Sequence, residues 1–100
     1  MLRHIVLFTW KPETPAAKIR EIEDTFRVLP AKIPQIAAFE WGTDVSVQGF
    51  SHGFTHCFLV SYASEADRDL YQVHPDHQAF LALSRPHVEQ LLTFDYFPAA

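Results

Sequence analysis

Residues 2–10 alternate. Leu2, His4, Val6, Phe8 and Trp10 share one side, and Arg3, Ile5, Leu7 and Thr9 the other, which predicts a β-strand. The period then changes to three and four. Ile19, Ile22, Phe26, Leu29 and Ile33 form an apolar stripe, with Lys18, Arg20, Glu21, Asp24 and Arg27 on the wet side of a helix. Thr14 is expected to cap this helix and Pro15 to open it; Pro30 should end or bend it near Leu29, and Pro34 closes the connection. Residues 36–47 predict a second strand, with Gly42 marking a bulge. After the turn around residues 48–53, residues 54–62 predict a third strand, with Phe54, His56, Phe58, Val60 and Tyr62 facing one way. Ser64-Glu65-Ala66-Asp67 has the pattern of a capping box and opens a second helix. Pro75 interrupts it, a further helical piece covers residues 76–83, Pro86 stops that piece, and residues 91–97 form the last strand.

This order, β-α-β-β-α-β, is that of an α+β, ferredoxin-like fold with a four-stranded antiparallel sheet and both helices on one face. At 100 residues the chain is expected to be one domain, residues 1–100. Helices can cover only one face of that sheet. The strands nevertheless carry large apolar residues on both: Ile5 and Leu7 opposite Val6 and Phe8, Cys57 and Leu59 opposite Phe58 and Val60, and Leu92 and Phe94 in the last strand. A sheet with one wet face should alternate with polar residues. The economical cover for the second face is a second copy, sheet against sheet, in a two-fold homodimer that closes an α/β barrel.

Composition narrows the function classes. A net charge of −4 without a Lys/Arg cluster argues against nucleic acid as a partner. No apolar run reaches the roughly 20 residues of a membrane span, and the N-terminus does not read as a signal peptide. The single cysteine, Cys57, excludes an intrachain disulfide and fits a reducing, cytoplasmic setting. Six histidines are many for this length and point to a pocket lined by imidazoles.

The segment Tyr71-Gln72-Val73-His74-Pro75-Asp76-His77 carries the densest chemistry. Helical spacing puts His74 and His77 with Leu70 and Val73 on the buried stripe and Tyr71 at its edge. A neutral imidazole can take a proton near pH 7, and a tyrosine O–H can hold a carbonyl as enolate charge develops. His4 and His56 sit mid-strand among apolar neighbours and meet each other if their faces match. The structural alternatives stand beside these readings. Taken singly, His4 and His56 read first as hydrogen-bonded core histidines, His74 as a helix cap or a site residue, Tyr71 as a core-edge aromatic and His77 as either. His52 and His87 read as surface residues. No zinc signature, phosphate loop or nucleophile motif is present, so neither a metal nor a cofactor is expected.

The chain resembles the stress-responsive A/B barrel (Dabb) family. The likeness runs nearly end to end, through His4-Ile5-Val6-Leu7-Phe8, Trp41-Gly42-Thr43-Asp44-Val45-Ser46, Gly53-Phe54-Thr55-His56, Tyr71 to Phe80 and Phe94-Asp95-Tyr96. The resemblance implies a dimeric α+β barrel. One plant member of the family is a polyketide cyclase that closes a linear tetraketide by aldol condensation. Through it, the resemblance implies Tyr71 and His77 as a catalytic pair, with His4 and His56 lining the pocket and Phe26 at a pocket position; His74 joins the pocket candidates from its place on the helical stripe. Phe26 stands where that cyclase has a tyrosine, and Glu23 where it has a phenylalanine, so the resemblance does not carry the cyclase's substrate over to this chain. Two functions follow as expectations. One is a cofactor-independent cyclase or lyase acting on a carbonyl compound. The other is a non-catalytic, stress-associated homodimer that binds a hydrophobic or aromatic small molecule.

Overall fold

The computed structural model describes residues 1–100. Its elements are β1 (Leu2–Trp10), α1 (Ala16–Arg27), α2 (Leu29–Lys32), β2 (Ala38–Thr43), β3 (His56–Tyr62), α3 (Glu65–Val73), α4 (Pro75–Ser84), a 3-10 turn (Arg85–His87) and β4 (Val88–Tyr96). The strands form one antiparallel sheet in the order β2-β3-β1-β4. This is the ferredoxin-like arrangement that the element order predicts.

The pleat sorts the residues of β1 and β3 into two sets. Leu2, His4, Val6 and Phe8 pair with Tyr62, Val60, Phe58 and His56, and all eight are buried against the helices. Phe26 of α1 anchors that core. Its ring stacks on Phe58 at 4.2 Å and 8°, and it lies 4.6 Å from the ring of Phe80 on α4. The other parity, Ile5, Leu7, Cys57 and Leu59, continues into Leu92 and Phe94 of β4. No element of the chain covers this face: Ile5, Leu7, Cys57 and Leu59 stay only half-buried, and Leu92 and Phe94 are exposed. The molecule is 17 Å across its thinnest dimension, which accommodates one sheet and one helical layer.

Several local expectations are corrected. Thr14 does not cap α1: Pro15 holds the cap position without a side-chain bond, and the Thr14 hydroxyl is buried without a partner. The stripe through Leu29 and Ile33 is broken at Val28. Pro30 lies in the first turn of the short α2, where a missing N–H costs nothing. The second strand ends at Thr43 rather than residue 47, because the Asp44 carboxylate accepts the Ser46 N–H at 3.1 Å and turns the chain away. Val45 and Val47 consequently stand 89% and 96% exposed. Gly42 pairs regularly with Cys57; the irregularity lies instead between Thr9 and Trp10, opposite β4.

Candidate active site

The break between α3 and α4 builds the site. Ser64 opens α3 by accepting the Asp67 N–H at 3.2 Å. Pro75 has no N–H for the Tyr71 carbonyl, which accepts the His74 N–H instead, at 3.1 Å. His74 is held as the cap of α4, its Nδ1 accepting the Asp76 N–H at 3.1 Å. Asp76 would otherwise have bonded the Gln72 carbonyl, so that carbonyl is left for side chains. It accepts from Gln78 Nε2 at 2.6 Å and from His77 Nδ1 at 3.2 Å. A carbonyl only accepts, so Nδ1 carries the proton and His77 keeps its lone pair on Nε2. Burial pushes the His77 pKa below the ordinary histidine value, partly opposed by the Gln72 bond and helped by the positive charge of Arg85.

Tyr71 is the buried residue of α3. It is 1% exposed, while Leu70 and Val73 are 51% and 70% exposed, so the helix presents the reverse of the stripe predicted for it. The Tyr71 ring lies 4.2 Å from that of His77 and 5.2 Å from that of Tyr62. Burial raises the pKa of both phenols above the usual tyrosine value, so both stay protonated. The buried Tyr62 hydroxyl has no hydrogen-bond partner.

Tyr71 and His77 line a cavity of about 270 Å³ between α3, α4, β1 and β4. Phe26, Phe80, Leu81 and Val88 supply apolar wall, and His4 and Asp95 enter from the sheet. His4 Nδ1 bonds Asp95 Oδ1, while Asp95 Oδ2 accepts from Arg68 at 3.2 Å. A single strand pairing, His4 with Asp95, places these two side chains on one face. The His4 ring meets that of Tyr71 edge-on at 6.3 Å.

His4, Phe26, Tyr71 and His77 are thus brought together. His74 caps a helix outside the cavity. His56 shares the buried face with His4 but pairs opposite Phe8, four residues along β1 and about 13 Å away at the rise of a strand. There its Nδ1 accepts the indole N–H of Trp10 at 3.2 Å, with the Thr55 hydroxyl 2.8 Å away. An indole only donates, so the His56 proton sits on Nε2 and is donated to Glu23 Oε2 at 2.7 Å. Sequence reasoning missed Asp95 and Arg68 as partners of the site, and Glu23 as the partner of His56. The pairing of the last strand with β1 was the available signal for Asp95; long-range pairs of helix residues left none. No group of three or more histidine, cysteine or acidic side chains converges as metal ligands, and no helix is long and apolar enough to cross a membrane.

A cavity with one histidine-rich end, on a ferredoxin-like sheet whose outer face is bare, places the chain in the class of α+β ferredoxin-like barrels. Residues 2–98 match the Stress Responsive A/B Barrel Domain, and the chain belongs to this Dabb family. It is 32% identical over 97 residues to olivetolic acid cyclase from Cannabis sativa, covering 97% of this chain and 96% of the cyclase. It is 29% identical to a stress-response A/B barrel domain-containing protein from Arabidopsis thaliana, covering 99% of this chain and 91% of that protein. Among solved structures, hydroxynitrile lyase from Passiflora edulis superposes with a TM-score of 0.90 at 27% identity, covering 97% of this chain and 96% of the lyase. A protein of unknown function from Thermobifida fusca, described as dimeric and ferredoxin-like, gives 0.82 at 25% identity, covering 95% of this chain and 88% of that one.

Proposed function

We propose that the chain is a cofactor-independent acid–base enzyme that acts, as a homodimer, on a small carbonyl compound. The observation that carries this reading is the His77–Gln72 bond, which leaves an unprotonated Nε2 in a cavity shared with a protonated Tyr71. Nε2 removes a proton from the carbon next to the substrate carbonyl. The C–H electron pair moves into the enolate, and the Tyr71 O–H donates to the enolate oxygen. The enolate then either attacks a second carbonyl or expels a leaving group, and His77 returns its proton. The relatives named as a cyclase and a lyase support an enzymatic role.

The dimer is supported by the bare face of Ile5, Leu7, Cys57, Leu59, Leu92 and Phe94, and by related structures described as dimeric. A second copy laid sheet to sheet would bury this face at the usual spacing of about 10 Å.

The test is exchange of α-protons for deuterium in 4-phenyl-2-butanone, followed by NMR. Tyr71→Phe and His77→Ala are each expected to slow protein-catalysed exchange roughly a hundredfold or more while leaving the dimer intact. Unchanged exchange in both variants refutes the assignment. A non-catalytic binding dimer is the second reading, favoured by the stress-response description of the Arabidopsis relative; it predicts ligand binding without any catalysed exchange.

A further inference from the structure

Charge is unevenly committed around the cavity. Asp95 is its one carboxylate, and both of its oxygens are engaged, by His4 and Arg68. Arg85 is the one lysine or arginine among the lining residues. It takes part in none of the chain's ion pairs, and its side chain is open to solvent. Its place is fixed. It begins the 3-10 turn that follows the buried Ser84, Pro86 stiffens that turn, and the Lys11 N–H bonds the His87 carbonyl at 2.8 Å to tie the turn to the end of β1. Arg85 and His77 line the same cavity. Phe26, Phe80, Leu81, Val88 and Leu91 give the same cavity an apolar part.

We infer that Arg85 is an anion subsite at the rim of this cavity, and that the natural ligand is a carbonyl compound with an apolar body and a carboxylate. This deepens the proposed function and rests on it for the carbonyl half. A planar guanidinium presents parallel N–H donors that match a carboxylate. An uncharged ligand would leave the one uncommitted cation of the site without a partner. A carboxylate held at Arg85 fixes one end of the ligand, so that its carbonyl end is directed toward Tyr71 and His77.

The experiment compares the affinities of 4-phenylbutanoate, 4-phenylbutanamide and 2-phenylethyl phosphate by NMR titration, in the native protein and in Arg85→Met, which keeps an unbranched side chain and removes the charge. The carboxylate is expected to bind at least tenfold more tightly than the amide in the native protein. In Arg85→Met this preference should fall to within twofold, with amide affinity unchanged. Equal binding of carboxylate and amide, or a preference that survives Arg85→Met, overturns the subsite, as does binding of none of the probes. Tighter binding of the phosphate than of the carboxylate overturns the carboxylate assignment. The two readings fail separately: absence of α-proton exchange removes the enzyme and leaves the subsite standing, whereas exchange without a charge preference removes the subsite and leaves the enzyme.

Discussion

Tyr71 and His77 face one another across a broken helix, their ring centroids 4.2 Å apart and their planes inclined by 34°. A continuous helix would place residues six apart on well-separated sides. The interruption at Pro75 brings these two into contact, and the same interruption frees the Gln72 carbonyl that fixes the His77 tautomer.

The pH dependence follows from burial of His77. Its pKa lies below the ordinary value of about 6.5, and only the neutral form acts as base. Catalysed exchange should therefore rise with pH through a midpoint below 6.5 and stay level above it. An activity limb at or above 6.5 would contradict the buried-base assignment. Stability has the same sense. The unfolded chain takes up the proton more readily, so the contribution of neutral His77 is complete above about pH 6.5 and is lost as pH falls through the lower, folded value. His77→Gln should flatten this part of a plot of urea midpoint against pH.

Phe26 serves the core and the cavity wall together. Phe26→Ala should cost about 3–5 kcal/mol, the usual range for removing a buried phenylalanine. Urea denaturation measures this. A loss below about 1 kcal/mol would mean that its stack on Phe58 is not maintained in solution.

The Glu23–His56 pair does not line the cavity and should report on stability alone. Glu23→Ala leaves the buried Nε2–H of His56 without its acceptor, at a cost of about 1–3 kcal/mol. Exchange kinetics measured well below the unfolding midpoint should be unchanged. A matching loss of exchange would place His56 in the catalytic machinery after all.

The bare sheet face makes a prediction about assembly. Leu59→Glu puts a carboxylate at the centre of that face, and light scattering should find the mass of one chain, with a circular dichroism spectrum like that of the native protein. A variant that remains a dimer would move the interface elsewhere.

Much of this architecture was legible because β1 and most of β3 alternate between the two faces. Leu2, His4, Val6 and Phe8 separate cleanly from Ile5 and Leu7, and apolar residues of both parities pointed to a missing layer. The site was harder to read. Helical spacing assigned Leu70 and Val73 to the core, but α3 has only nine residues before Pro75, and the rotation of so short a helix is set by the seat its one large aromatic, Tyr71, finds beside Tyr62. His4 and His56 share a face as the pattern implied, but which position lies opposite which depends on register, and register depends on where β2 and β3 stop. Asp44 decides part of that by bonding Ser46, a local choice that the apolar run through Val45 and Val47 concealed.

The alternation of β1 ties chemistry to assembly. His4 projects into the cavity from a strand whose next residue, Ile5, projects onto the opposite, uncovered side. One codon inserted before His4 would send the imidazole outward and its aliphatic neighbours inward. The cavity lining and the uncovered face are therefore coupled through this strand: a side-chain change can alter either alone, but a one-residue change in the length of β1 disturbs both together.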